Sequence, residues 1–149
     1  MIENVWTVIC QRSVVDKDTN NLSIFDVLEQ FTITAPKLPK SRDNKKTIIP
    51  LSFEVISFWI KKNMDHPETG TAKLTFKAPN GNQEEGAIFD INLQKHKRFR
   101  SKIKVAGIPF YGSGEYVFIV YLKNEKTGKW KEVSKVPIEI IVNIVKNSI

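Results

Sequence analysis

The residues from which a reactive site would have to be built are few: two histidines, one cysteine and sixteen acids in a chain of 149 residues. His66 and His96 each sit in a polar stretch beside turn-forming residues. That setting suits solvated imidazoles rather than a base or ligand held in an apolar pocket. Ser113 lies in Gly112-Ser113-Gly114 without the Gly-x-Ser-x-Gly spacing of a nucleophile elbow. Cys10 has no second cysteine to pair with, which excludes an intrachain disulfide and every zinc pattern built on two thiolates. Its apolar surroundings read as those of an inert buried thiol. Asp16-Lys17-Asp18-Thr19-Asn20 matches the first three ligand positions of a calcium loop. Asn21 then stands where the loop needs Gly and Val27 where it needs a bidentate Glu, so a hairpin turn is the better reading. Glu84 and Glu85 are adjacent, and on an extended chain adjacent side chains point to opposite faces, the wrong geometry for shared acid-base work. They read as a solvated loop. The seven glycines are scattered through turns and form no phosphate-binding loop. We therefore expect no catalytic residue, no metal ligand, no cofactor and no enzyme activity.

Positive charge is the sharper signal. The chain carries 23 basic and 16 acidic residues, a net charge of +7, which attracts polyanions through counterion release. Only Arg12, Arg42, Arg98 and Arg100 are arginines, whereas bidentate phosphate recognition favours Arg over Lys. Arg98, Arg100, Lys102 and Lys104 alternate along one strand and form an outward row spaced by about 6.8 Å, close to the spacing of phosphates on an extended nucleic acid strand. Phe99 faces the core in this reading, so the row lacks the stacking partner that single-strand binders usually add. The same row would serve as a charged edge that blocks sheet-to-sheet aggregation. A second basic stretch, Lys37, Lys40, Arg42, Lys45 and Lys46, occupies a proline-containing loop over residues 35–50 and would add to that surface if it lay beside the row.

The elements that must carry these residues are strands. Apolar residues recur with a period of two: Ala72, Leu74, Phe76 and Ala78 against Thr71, Lys73, Thr75 and Lys77, with Pro79-Asn80-Gly81 as the stop. Ala87–Gln94 and Arg98–Val105 alternate likewise, and the short Lys95-His96-Lys97 link predicts a hairpin with Asn92 opposite Arg100 and Asp90 opposite Lys102. Leu51–Ile60 and Tyr116–Leu122 are apolar on both faces and should be central strands. The phase switch at Val55 and Ile56 predicts either a bulge or a strand covered on both sides. Val5–Val15, Leu22–Ile33 with an irregular stretch near Leu28-Glu29-Gln30, and Trp130–Val142 complete the set. Such a count without βαβ alternation predicts one all-β domain over residues 1–149, a sandwich or a barrel, of which the sandwich is preferred. Gly112-Ser113-Gly114-Glu115-Tyr116-Val117-Phe118, a tight turn running into a strand with an early Tyr, resembles the late strand of immunoglobulin-like domains, which implies a single immunoglobulin-like antiparallel β-sandwich of about seven to eight strands. Of the three tryptophans, Trp130 at a hairpin end is the one expected to be partly exposed.

The Val8-Ile9-Cys10-Gln11 strand, the Asp16–Asn21 turn, the Leu22–Val27 strand, Gly114-Glu115-Tyr116-Val117-Phe118 and Val136-Pro137-Ile138-Glu139 together resemble a family of small uncharacterised bacterial proteins with an immunoglobulin-like sandwich. The resemblance implies that fold and a bacterial setting, and it brings no catalytic residue or ligand. The N-terminus carries an acid where an export signal would be basic, and the longest apolar run, Tyr116–Leu122, is far shorter than the roughly 20 residues a spanning helix needs. The expectation is a cytoplasmic, non-enzymatic protein-interaction module or small accessory subunit, pairing with a protein partner or with itself as a homodimer, away from membranes. The alternative is nucleic-acid or other polyanion binding through the basic strand face.

Overall fold

The computed structural model describes residues 1–146; residues 147–149 of the expected domain lie outside the described residues. The strands are β1 (Ile2–Val15), β2 (Leu22–Val27), β3 (Gln30–Ala35), β4 (Ile48–Lys61), β5 (Glu68–Lys77), β6 (Gln83–Leu93), β7 (Arg98–Pro109), β8 (Gly114–Lys123) and β9 (Trp130–Ile144). They form a β-sandwich, one sheet ordered β2-β1-β4-β7 and the other β3-β9-β8-β5-β6. The expected sandwich has nine strands because the run from Leu22 to Ile33 divides in two. β2 pairs with β1, the chain crosses at Leu28 and Glu29, and β3 then joins β9 in the opposite sheet. The β3-β9 pairing is parallel; the other pairings are antiparallel. Among the described residues no helix is long and apolar enough to cross a membrane.

The expected hairpin between Ala87–Gln94 and Arg98–Val105 is not formed. β6 pairs with β5, placing Asp90 opposite Thr71, and β7 pairs with β4 in the other sheet, placing Lys102 opposite Ile56. The turn chemistry of Pro79-Asn80-Gly81 closes the β5-β6 hairpin instead: the Ala78 amide donates to the Asn82 carbonyl at 2.7 Å, and Gly81 adopts the positive φ of 90° that a side chain would resist. With β6 paired on that side, the Lys95–Lys97 link carries the chain across the sandwich. Glu84 and Glu85 lie in β6 rather than in a loop, and their side chains do diverge, Glu84 toward Tyr111 and Lys46 and Glu85 toward Lys73.

The inward faces meet in one apolar core drawn from both sheets. Trp59 is fully buried, and its indole N–H donates to Ser101 Oγ at 3.0 Å, so the polar end of the ring is satisfied. Phe53 of β4 meets Phe118 of β8 edge-on, with centroids 5.3 Å apart and planes at 78°. That geometry contributes about 0.5–1.5 kcal/mol beyond area burial. Phe76 packs on both Phe118 and Tyr116. Tyr116 is itself buried, and its hydroxyl donates to the Gly112 carbonyl while accepting from the Tyr111 amide, each at 2.8 Å. The connection entering β8 is thereby pinned to the core.

Of the two readings of the Val55-Ile56 phase switch, coverage on both sides is the observed one. The β4-β7 register runs without a break from Ser52 to Ile60, and Ile56 is buried although it points away from the core. The β1-β2 hairpin reaches over that outer face, where Ser13 Oγ donates to Glu54 and Asn20 accepts from Arg100. Pro50 falls inside β4, at the register shift between Ile49 and Ser52, a place where a missing N–H is tolerated.

Candidate functional site

Arg98, Arg100, Lys102 and Lys104 all project from the outer face of β7, the edge strand of its sheet, and Phe99 turns to the core as expected. Two of the four are engaged internally. Lys102 Nζ lies 3.3 Å from Glu54 Oε2, and Arg100 donates to the Asn20 carbonyl. Glu54 is held below the usual carboxylate range: burial pushes its pKa up, but the Ser13 hydroxyl and the Lys102 ammonium together outweigh it. The register also brings aromatic rings onto this face, which reading β7 alone misses. Arg100, Phe58 and Trp6 stand directly opposite one another on β7, β4 and β1, and the two rings lie 5.7 Å apart. Only the pairing of three distant segments creates that row.

The basic loop does not extend the row. It is a small hairpin with Lys40 bridged to Thr47 and Leu38 buried beneath it. Lys37, Lys40, Arg42, Lys45 and Lys46 are all exposed. Ile48, at its exit, pairs with Pro109, the far end of β7 from Arg98. Lys104, the nearer end of the row, lies five residues before Pro109, so at about 3.3 Å per residue roughly 17 Å of strand separates the two basic segments. Lys46 is instead 3.1 Å from Glu84 on β6. Asp43, tied to Ser41 and to the Lys45 amide, has its pKa lowered by those bonds.

The Asp16–Asn21 segment is a hairpin turn: Asp16 Oδ1 accepts the amides of Asp18 and Thr19, both at 2.9 Å, and this lowers the Asp16 pKa. Cys10 is buried, and burial, then the nearby Glu54 charge, push its thiol pKa up. His66 and His96 are exposed. Trp130 is half-buried, with Lys73 Nζ 4.6 Å and Lys123 Nζ 5.9 Å from its ring.

The sheet edges differ sharply. β7 is lined by cations, and β6 carries Glu84, Glu85 and Asp90 around its exposed Ile88 and has an irregular register. β3, six residues long like β2, turns Gln30, Thr32 and Thr34 outward. β2 presents exposed apolar side chains with Asp26 as its one charge: Phe25 and Val27 are 40% and 51% exposed, and Val14 beside them on β1 is 52% exposed. Arg12 covers the Phe25 ring at 4.6 Å.

Below the crossover a cleft of about 460 Å³ opens at the seam between the sheets. Val8, Val27, Leu28, Val136 and Pro137 give it apolar walls, and Glu29, Glu115 and Glu139 stand on its rim. Its backbone frame is fixed by two bonds, Leu28 N to the Ile9 carbonyl and Glu139 N to the Glu29 carbonyl. Neither the cleft nor the exposed β2 edge was visible as a site in the sequence, because both are made where strands end.

Fold and surfaces together define a class, that of all-β sandwich proteins whose distinguishing features lie on strand edges and sheet faces. No protein-family model matches the chain, and no curated protein does. Among solved structures the chain is similar to one described as "Structure of the N-terminal domain of PorA", with 10% identity, a TM-score of 0.29, and 93% of this chain and 98% of that one covered. A likeness that loose assigns no residue a role.

Proposed function

We propose that this chain is a non-enzymatic protein-interaction module or small accessory subunit that pairs through the edge of β2. The observation that carries the reading is the contrast between edges: charge guards β6 and β7 and β3 turns polar side chains outward, while β2 exposes Phe25 and Val27. Natural sheets blunt edges that must stay single, and an unblunted edge offers backbone hydrogen bonds with side-chain contacts on alternate residues. A second copy of the chain is the first partner to test, since antiparallel pairing of two β2 strands about a two-fold axis would be self-complementary. Sedimentation velocity from micromolar to near-millimolar concentration should give a mass rising toward the dimer, and Phe25→Lys should hold the chain monomeric. A strict monomer throughout, with the variant indistinguishable, would overturn β2 pairing.

The same reading takes the sandwich as immunoglobulin-like. Tyr116 opens β8 with its hydroxyl bonded to backbone four and five residues upstream, as in a tyrosine corner. Two residues later Phe118 meets Phe53 across the sheets, where antibody domains carry their inter-sheet disulfide. This supports the kinship with small bacterial sandwich proteins drawn from the sequence, and a lone buried thiol suits a cytoplasmic setting.

Polyanion binding stands as a second reading because Trp6 and Phe58 share the face of the cationic row, supplying rings beside charge. Titration with oligothymidylate at about 50 mM salt, where such binding is strongest, should quench tryptophan fluorescence in the wild type and not in Trp6→Leu. No binding at that salt removes the reading.

A further inference from the structure

The pairing pattern leaves a strand-length gap in the side of the sandwich. β2 pairs with β1 only from Cys10 to Val15, and β3 pairs with β9 only from Glu139 to Ile144. Among the described residues, therefore, β1 from Ile2 to Val8 has no strand paired on its β2 side, and β9 from Trp130 to Ile138 has none on its β3 side. The Ile9 carbonyl points to this open side, where it takes the Leu28 amide. Backbone groups alternate along a strand, so those of Thr7 turn the same way. The position in line with β2 beyond Leu28 thus faces the main-chain groups of Thr7, and it opens onto the apolar cleft at the seam.

The rim has a definite electrostatic character. Glu115 and Glu139 stand directly opposite each other on β8 and β9, and like charges so placed repel. Glu29 adds a third carboxylate at the same cleft. None of the ion pairs among the described residues engages these three. In a chain of net charge +7 this is acidic ground on a basic protein. It is matched by a cation placed next to an apolar group.

We infer that the open edge of β1 beside this cleft accepts an extended segment of a partner protein, which adds as a strand alongside β1 at Thr7 and Val8, seats an apolar side chain between Val8 and Val136, and sets lysine or arginine against Glu29, Glu115 and Glu139. This rests on the interaction-module reading and specifies a surface and a partner chemistry that the β2 edge does not. Strand addition supplies affinity through the backbone, while the cleft and the carboxylates supply selectivity.

The test uses the full chain labelled with ¹⁵N and a synthetic seven-residue peptide of alternating lysine and valine, blocked at both ends. The expected result is a set of amide shifts at Thr7, Val8, Ile9, Val136 and Glu139, weakened at least about tenfold in affinity by the E115K/E139K double variant, a change of about 1.4 kcal/mol. Val136→Trp, which fills the cleft without altering charge, should weaken binding as well. The inference is overturned if the peptide produces no shifts at millimolar concentration, if its glutamate-valine counterpart binds as tightly, if the shifts fall on residues 22–26 of β2 or on β7 instead, or if both variants bind like the wild type. Phe25→Lys should leave these shifts unchanged. A chain that stays monomeric yet takes the peptide refutes β2 pairing alone, and one that dimerises through β2 yet ignores the peptide refutes the open-edge site alone.

Discussion

Replacing Tyr116 by Phe removes one oxygen and leaves the ring that packs on Phe76 in place. That oxygen serves two backbone groups at once, accepting from the Tyr111 amide and donating to the Gly112 carbonyl, each at 2.8 Å. Without it the Tyr111 N–H and the Gly112 C=O lose their partner in a half-buried corner. An unmade buried hydrogen bond costs about 1–3 kcal/mol. Because both groups are only partly shielded from water, the lower part of that range applies to each, for a total of about 2–3 kcal/mol. For a domain of this size a loss of 1 kcal/mol lowers the midpoint by about 2–4 °C, so the variant should melt roughly 5–10 °C below the wild type. Urea unfolding followed by tryptophan fluorescence measures the loss. The slope m should be unchanged, since the surface exposed on unfolding is the same, and hydrogen exchange at the Tyr111 amide should accelerate. A loss under about 0.5 kcal/mol, the size of an ordinary surface substitution, with unaltered exchange at Tyr111, would refute the view that this hydroxyl anchors the entry to β8.

Phe53→Ala and Phe118→Ala should each cost about 3–5 kcal/mol, and a double-mutant cycle on urea midpoints should return a coupling of about 0.5–1.5 kcal/mol; additive losses would mean the rings do not interact. Asp16, Asp43, Glu54 and Glu84 all have native pKa values below those of the unfolded chain. Their stabilisation is complete above the ordinary carboxylate range of about 4 and is lost as pH falls through the depressed native values. Stability should therefore be flat near neutrality and decline in acid, less steeply in Glu54→Gln, as pH-dependent urea titrations would reveal. Cys10, buried and with its thiol pKa raised, should react with iodoacetamide at mildly alkaline pH only after denaturant is added; rapid labelling of the native chain would show that β1 opens.

The period-two rhythm located the strands because each face of a sheet meets a different medium. Ala72, Leu74 and Phe76 are buried on β5 as their alternation requires, and the Lys126-Thr127-Gly128 turn does join β8 to β9, with Gly128 at a φ of 71°. Partnership was less legible. Lys95-His96-Lys97 has hairpin length, yet a short link serves equally to cross between sheets, and the polarity match between Asp90 and Lys102 is one that many registers would offer. The candidate surfaces were hidden for a related reason. Trp6, Phe58 and Arg100 are separated by dozens of residues, and nothing local to any of them announces that they share a row. The basic row on β7 was readable because one strand holds it. The open edge of β1 was not, since it depends on where β2 stops.

The parallel contact of β3 with β9 has a consequence for how the chain is made. Gln30 finds its partner in Glu139, more than a hundred residues later, so during synthesis the N-terminal third emerges with one ribbon bound to nothing until the last strand leaves the ribosome. Pairings this distant in sequence are slow to close, and nascent chains with naked ribbons are prey to chaperones, proteases and one another. Truncation just before Trp130 would therefore remove more than β9; it would deprive β3 of the strand it pairs with and leave the molecule unzipped along its flank.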